Sequence, residues 1–356
     1  MLTRLISFLS GVLFGFVIKF ILKRLLPRAR EAAFSIRQIF PPERGFFSKE
    51  VDYDGIKIKA AEVVADGALF EARRRLDMLL GNMPEVKENL RNQTAELHII
   101  GKDQVTSDLP EHRHLKGNKN FDAKRQLDID ARTRGVGGLF ASVGEENLLF
   151  LPNDRYYERD ICVHEFAHTI MQCGLDDRIR SNILKQYKRS KKRGLWKGTY
   201  AGTDEDEFFA ELSMWFFGTR GDYGSLSPSP EPGPHWLKDY DPEAFNLLDE
   251  IYSGRLKSKH VSVRTLKALP AKLESSMKSI HGDYKTTLQI INSTNDSVNV
   301  FWLDYRGVRQ PRGKIEAGAS HFELTYVSHP FLLTDKNGSG LAIFVADHKR
   351  GLGILT

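Results

Sequence analysis

Apolar and polar residues follow different periods along the chain, and each period predicts a different element. Residues 51–64 contain the two-residue alternation of a half-buried β-strand. Residues 68–80 carry apolar side chains at helical spacing, which predicts an α-helix. Short apolar runs at 96–101 and 146–151 predict two further buried strands. This region is therefore expected to combine helices with a small sheet.

Residues 286–356 have a different character. Apolar runs at 287–291, 298–303 and 330–334 are separated by Asn, Asp and Gly, which favour turns. This pattern predicts an all-β module, a small sandwich. The basic stretch at 255–285 has a proline in its middle and is interpreted as the connector to this module.

Residues 5–22 are apolar except for two serines and Lys19. As a helix they would span about 27 Å, close to the roughly 30 Å of a bilayer core, which predicts a single-pass N-terminal membrane anchor. Positive charge is heavier on the C-terminal side and favours a cytosolic body, whereas four Asn-x-Ser/Thr sequons favour the opposite side. The side of the membrane therefore stays open, and a cleaved signal peptide with a secreted product is the alternative.

The charge of the chain is concentrated in the same region. Six basic residues among the first thirty account for the formal charge of +6, and the remaining 46 basic and 46 acidic residues cancel. Nucleic-acid binding is not expected, because the body has no basic excess; the run at 185–193 is interpreted as a solvated helix face. Cys162 and Cys173 would lie about 16 Å apart on one helix, too far for a disulfide, and are expected to be buried thiols.

The most informative motif is the pentapeptide His-Glu-Phe-Ala-His at residues 164–168. Residues four apart stack on one face of a helix, so His164 and His168 can bind one metal ion, with Glu165 beside them. Two imidazoles, a third protein ligand and a bound water form the usual catalytic zinc site. Residues 153–154 favour a helix start, and Gly174 favours its end. The sequence therefore predicts a zinc-activated hydrolase.

A downstream helix offers the third ligand. Residues 203–206 fit an N-cap, and Glu207 and Glu211 share one face of the helix that follows. Two carboxylates among five aromatic residues would be costly to bury without a cation. We expect Glu207 to bind the zinc ion and Glu211 to accept a hydrogen bond from a ligand imidazole. The alternative is that both glutamates line a solvated helix face.

The pentapeptide, followed after thirty-one residues by the segment 200–211, resembles the anthrax lethal factor-like metallopeptidases and the related Pro-Pro endopeptidases over residues 46–254. The resemblance implies an α+β zincin-like domain, mainly helical with a small sheet. The strand before the motif helix pairs with substrate in that family, and residues 146–151 occupy its place. The implied site has His164, His168 and Glu207 as zinc ligands, Glu165 as general base, and Tyr200 as hydrogen-bond donor to the developing oxyanion.

Residues 286–347 resemble the β-domain of the von Hippel-Lindau tumour suppressor, through the run at 300–307 and the positions that follow it. The corresponding surface of that family binds a hydroxyproline peptide. Arg312 and Phe331 stand where that pocket has tyrosine and tryptophan. For Trp302 and Phe331, packing in the sandwich core is the other interpretation. The positions that match the pocket, and so form the expected peptide surface, are Trp302, Thr325 and His329.

Together these observations predict a membrane-associated zinc endopeptidase that binds one Zn²⁺ per chain. Its substrate is a protein or peptide, with proline-containing chains as the expected class, and the β module binds substrate or a partner. The alternative is a non-catalytic, zinc-stabilised scaffold that acts through the β module. The expected segments are an anchor or signal-anchor at 1–26, a linker at 27–45, the metallopeptidase domain at 46–254, a linker at 255–285 and the sandwich at 286–356.

Overall fold

The computed structural model describes residues 35–119, 121–122 and 124–356. The expected anchor at 1–26, with its apolar stretch at 5–22, lies outside the described residues. Across the ranges just given, no helix combines the length and apolar character that crossing a bilayer requires. Three sheets, the first of them covered by helices, give a mixed α/β structure.

The first sheet has six strands in the order β1-β2-β3-β4-β6-β5. Strands β3, β4 and β6 are parallel, β1 and β2 are added antiparallel at one side, and β5 pairs antiparallel with β6 at the other. The short strand β5 is thus the outermost strand next to the helices. In chain order the strands are Arg37–Glu43, Phe47–Tyr53, Ile56–Ala60, Glu96–Ile100, Gly135–Val136 and Phe140–Gly144.

Residues 37–43 were expected in a linker and instead form strand β1. The guanidinium of Arg37 bonds to the carboxylate of Glu50 on β2, at 3.0 Å, and Ile39 packs near Phe47. These contacts hold an exposed, proline-containing segment in the sheet as an edge strand, the position that tolerates proline.

The prediction of a strand at residues 146–151 was wrong. The strand of this region, β6, lies earlier in the chain and ends at Gly144, and residues 145–148 form one helical turn. The Glu145 carboxylate is buried and accepts hydrogen bonds from the backbone N–H groups of Ala65 and Lys102, which fixes this turn. A short apolar run does not by itself distinguish a strand from a buried helical segment.

Within the described residues the chain forms nine α-helices, several of which pack against this sheet. They are α1 (Asp66–Leu80), α2 (Pro84–Asn92), α3 (Ile129–Arg132), α4 (Glu145–Leu148), α5 (Ile161–Thr169), α6 (Asp177–Lys192), α7 (Glu205–Phe216), α8 (Pro234–Tyr240) and α9 (Pro242–Tyr252). The predicted helix at 68–80 is confirmed as α1, and the basic residues at 185–193 are exposed as predicted. Both cysteines are free and buried, also as predicted.

The C-terminal part is a sandwich of a five-stranded sheet, β11-β10-β13-β14-β8, and a four-stranded sheet, β12-β9-β15-β7. The three strands expected at 287–291, 298–303 and 330–334 are confirmed as β9, β10 and β13. The strands are β7 (Val263–Thr265), β8 (Leu269–Pro270), β9 (Lys285–Asn292), β10 (Val298–Leu303), β11 (Arg309–Ile315), β12 (Ser320–Tyr326), β13 (Pro330–Thr334), β14 (Gly340–Val345) and β15 (Arg350–Leu355).

The stretch at 255–285, expected to be a linker, contributes to both sheets of the sandwich. β7 pairs parallel with β15, and β8 pairs antiparallel with β14. The basic composition of this stretch concealed them, because β7 and β8 are short outer strands whose side chains are largely exposed. Lys285 is the first residue of β9 rather than the last residue of a connector.

Polar contacts join the sandwich to the helical part. Arg350 of β15 donates to the Leu175 carbonyl at 2.7 Å, and the Asn89 side chain on α2 accepts from the Val261 N–H at 3.0 Å. Phe322 of β12 packs against the hydrophobic core of the helical part. The interface lies close to the end of α5, the helix with the histidine motif.

Candidate metal centre and active site

Helix α5 holds the motif in a buried position. Its N-cap is Asp160, whose carboxylate accepts from the Val163 N–H at 3.1 Å and from the Arg75 guanidinium at 2.9 Å. The helix therefore begins at Ile161, several residues after the start favoured at 153–154. A π-helical turn at Ile170–Gly174 continues it, so the stop expected at Gly174 agrees with the structure.

Two glycines of the run at 134–138 let β5 approach α5 closely. A Cβ atom at Gly135 would lie 2.7 Å from the Ile161 side chain, and one at Gly137 would lie 2.6 Å from His168 Cβ. Both distances are well inside van der Waals contact, so only glycine fits without displacement of the motif helix. Gly135 and Gly137 of this glycine-rich run also line the cleft that contains the motif.

Helix α7 brings Glu207 to the two histidines. Its N-cap is Asp204, which lies within the segment 203–206 where the sequence indicates a cap, and the Asp204 carboxylate accepts from the N–H groups of Asp206 and Glu207, both at 3.0 Å. The cap fixes the first turn of α7. This helix packs against α5, and both helices contribute buried side chains to the same hydrophobic core. Glu207 therefore faces the motif from a rigid helix end.

Three ligand atoms converge between these helices. His164 Nε2 lies 3.2 Å from His168 Nε2, and Glu207 Oε2 lies 3.3 Å from the first nitrogen and 3.4 Å from the second. Ligands held about 2.0–2.1 Å from a tetrahedral zinc ion stand about 3.3–3.4 Å apart, so the spacing is that of a zinc site. The residues present fit the ion.

The electrostatics of this group also suit a cation. Burial lowers the pKa of His164, but the Glu207 and Glu211 carboxylates outweigh it and raise the pKa to about 10. Glu207 Oε2 is buried and, among the described residues, receives no hydrogen bond of ordinary geometry. A buried carboxylate oxygen that points at two imidazoles and lacks a donor is the arrangement that a metal ion completes.

Glu211, one turn after Glu207, lies behind His164. Its Oε1 is 3.1 Å from His164 Nδ1 and accepts from the Arg159 guanidinium at 2.9 Å, and its other oxygen accepts from the Asp222 N–H. The side chain is fully buried, which rules out the solvated-face alternative for Glu211. Glu211 can therefore orient the His164 ring and favour metal binding through Nε2.

Glu165 and Tyr200 border the same space. Burial raises the pKa of Glu165, although the two neighbouring histidines oppose the shift. The Tyr200 ring is 6.3 Å from the His164 ring, and burial together with the Glu207 charge raises the pKa of its phenol. Tyr200 thus keeps its proton at neutral pH and is a hydrogen-bond donor. Ligand atoms of Glu165 and the two histidines lie within 4.8 Å of one another.

These groups open into one cleft of about 1000 Å³. One part of its lining is the β5 segment, a second is α5 with the first turn of α7, and a third wall comes from the sandwich. Residues of this third wall are Lys285, Leu324 and Tyr326. The cleft is large enough for several residues of an extended chain, and it leads directly to Glu165.

The three residues expected to form a peptide surface on the β module do lie together. Thr325 Oγ1 is 3.0 Å from His329 Nδ1, and the Trp302 and His329 rings are 5.1 Å apart. Thr325 and His329 are buried, each 4 % exposed. Of this cluster, mainly Trp302 and the adjacent Tyr305 are accessible.

Two charged residues of the site were not predicted from the sequence. Arg159 bonds to Glu211 from 52 positions away, and Lys285 bonds to Asp206 from 79 positions away. Arg159 stands just before the N-cap of the motif helix, and this proximity was the one available signal. Lys285 carried no signal, because its partner belongs to another part of the fold.

Comparison with known proteins yields a distant structural likeness. No family model matches the sequence, and no curated protein matches it. Among solved structures, the Pro-Pro endopeptidase of Paenibacillus alvei aligns with 56% of this chain and 97% of its own chain, at 15% sequence identity and a TM-score of 0.38. At this identity and TM-score the likeness assigns no function to the chain.

Proposed function

We propose that the chain is a zinc-dependent endopeptidase that hydrolyses bonds in protein or peptide substrates. One observation carries the proposal: His164 Nε2, His168 Nε2 and Glu207 Oε2 stand 3.2–3.4 Å apart at the end of an open cleft. Glu165 and Tyr200 border the same point, as an acid–base group and a hydrogen-bond donor. A purely structural zinc site is usually closed by four protein ligands and needs neither.

His164, His168 and Glu207 would hold one Zn²⁺ per chain, and Glu211 would orient His164 from behind. The ion, when bound, acidifies a water and polarises a carbonyl. Glu165 accepts the proton of the attacking water and returns it to the leaving amine. Tyr200 donates a hydrogen bond to the oxygen of the cleaved carbonyl, and one such donor is typically worth about 3–4 kcal/mol.

The substrate is an extended peptide that runs along β5. This outer strand takes the role expected for residues 146–151, since it lies beside the motif helix and lines the cleft. Backbone pairing with an edge strand gives affinity without selecting side chains. Proline-containing chains remain the expected class from the sequence resemblance, and the membrane anchor at 1–26 remains part of the proposal.

The decisive experiment measures zinc and peptide cleavage on the full chain and on Glu165→Gln. We expect about one zinc ion per chain in both proteins, because Glu165 is not a ligand. Cleavage of a peptide library, followed by mass spectrometry, is expected only with the unmutated protein. Glu207→Gln is the companion variant, and its zinc content should fall.

Two outcomes would overturn the proposal. Metal-free, inactive protein would favour the scaffold alternative, in which the β module alone acts. Equal cleavage by the unmutated chain and Glu165→Gln would show that the hydrolysis comes from a contaminant or from a different site. A Glu85→Gln variant, which changes a partly exposed glutamate on α2, controls for nonspecific effects of the substitution.

A further inference from the structure

The sandwich supplies a wall of the cleft, and the alternation of β12 decides which side chains face it. Thr325 points into the sandwich, where it contacts His329. Its neighbours Leu324 and Tyr326 point the other way, because successive side chains of a strand face opposite sides. Both line the cleft that contains Glu165 and the two histidines.

Leu324 is an apolar side chain that remains 43 % exposed. An exposed leucine alone needs no explanation, since much of a protein surface is apolar. The position of Leu324 is what matters, because it lies two residues from an aromatic side chain in the same concave space as the candidate catalytic groups. Leu324 and Tyr326 together form a small apolar surface on the side of the cleft that the sandwich supplies.

Contacts on both sides hold this part of β12 in place. Phe322, two residues before Leu324, packs against the helical core, and a Cβ atom placed on Gly138 would lie 3.4 Å from its ring. Tyr326 pairs in register with Lys285, whose ammonium bonds to Asp206 at 2.8 Å. The apolar surface is therefore presented at a fixed position relative to α7.

The charge of this wall is largely neutralised. Lys285 has Glu205 at 3.1 Å in addition to Asp206, so its ammonium is already paired and does not offer a free cation to a ligand. A charged or phosphorylated ligand group would gain little here, whereas an apolar side chain would bury Leu324 and part of the Tyr326 ring.

We propose that Leu324 and Tyr326 form a subsite that receives an apolar side chain of the peptide in the cleft. The sandwich then sets part of the sequence preference, through the outward face of β12 rather than through the buried cluster of Thr325 and His329. The identity of the ligand as an extended, unmodified peptide rests on the proposed function.

The test uses the full chain with Glu165→Gln, so that bound peptides stay intact. Two further variants carry Glu165→Gln together with either Leu324→Ser or Leu341→Ser. Leu341 lies on β14 of the other sheet, is 44 % exposed and does not line the cleft, so it is a matched control. A synthetic library of random dodecapeptides is the probe, and affinity selection followed by sequencing identifies the bound peptides.

We expect the parent and Leu341→Ser to enrich apolar residues at one position of the bound peptides. Leu324→Ser should lose this enrichment and bind the selected peptides roughly tenfold more weakly, as expected when an apolar contact is removed from a pocket. Unchanged selection in Leu324→Ser, an equal loss in Leu341→Ser, or no peptide binding by the folded parent would each overturn the proposal.

The same experiment separates this inference from the proposed function. Cleavage by the unmutated chain reports on the enzyme, while peptide selection by the Glu165→Gln chain reports on the subsite. If peptide selection depends on Leu324 but the unmutated chain cleaves no peptide, the subsite proposal stands and the peptidase proposal is rejected. If the unmutated chain and Leu324→Ser cleave with the same sequence preference, the peptidase proposal stands and the subsite proposal is rejected.

Discussion

The ammonium of Lys285 lies 2.8 Å from the carboxylate of Asp206, and this bond connects strand β9 of the sandwich to the helix that carries Glu207. Lys285 is 25 % exposed and Asp206 only 8 %. Burial lowers the pKa of Lys285, but Asp206 and the adjacent acidic residues outweigh it and raise the pKa. Lys285 is therefore protonated at neutral pH, and its bond to Asp206 couples the two parts of the fold.

Replacement of Lys285 by Met should destabilise the full chain by about 2 kcal/mol, because it leaves the buried Asp206 carboxylate without its partner. Urea unfolding at pH 7 measures this change. Lys314→Met is the control: its pair with Glu316 is exposed on both sides, so its loss should cost below about 0.5 kcal/mol. Equal effects of the two substitutions would contradict the coupling.

The bond between Lys285 and Asp206 also shows which contacts a sequence pattern does not predict. The histidine motif could be recognised in the sequence, because His164 and His168 are one helical turn apart and this spacing is a local property. The helix start within residues 203–206 could be recognised for the same reason. Lys285 and Arg159 meet partners that only tertiary packing brings near, so neither could be predicted from local periodicity.

The errors in the predicted secondary structure have a related cause. The run at 146–151 is apolar enough for a strand, yet the hydrogen bonds from Ala65 and Lys102 to Glu145 favour a helical turn at its start. Strands β7 and β8 were hidden in a basic stretch, because outer strands bury few side chains and leave little hydrophobic pattern. In both places the decisive partners are distant in sequence.

Glu211→Gln should weaken zinc binding without removing it. The amide keeps the shape of the side chain but loses the charge that faces His164 and Arg159, and changes behind a metal ligand typically cost about 10–100-fold in affinity. Competition with a fluorescent zinc chelator measures the affinity. Near-ultraviolet circular dichroism of the same sample checks the fold, and a folded variant with unchanged affinity would exclude this role for Glu211.

Gly137→Ala should destabilise the protein by about 1–3 kcal/mol, because the new methyl group would overlap His168 and force β5 away from α5. Gly67→Ala is the matched substitution on α1, where the added Cβ meets only an ordinary contact with Leu149 at 3.7 Å. It should leave stability unchanged or raise it by up to about 1 kcal/mol, since alanine favours a helix over glycine. Thermal unfolding of both variants, followed by calorimetry, gives the comparison.

The buried pair of His98 and Glu111 should make the stability of the protein depend on pH. Burial lowers the pKa of His98, but Glu111 and Glu96 outweigh it and raise the pKa from 6.5 to about 9. Burial raises the pKa of Glu111, but His98 outweighs it and lowers the pKa from 4.5 to about 2. The contribution of the pair is therefore complete between pH 4.5 and 6.5.

As the pH rises from 6.5 through 9, the folded protein loses the His98 proton and with it on the order of 2 kcal/mol of stability. Urea unfolding at pH 6 and at pH 9.5 measures this loss. The double variant His98→Gln/Glu111→Gln replaces both charges with neutral amides and should lose clearly less over the same interval. His348→Gln, which changes an exposed histidine, should behave like the unmutated chain. An equal loss in all three proteins would assign the pH dependence to other groups.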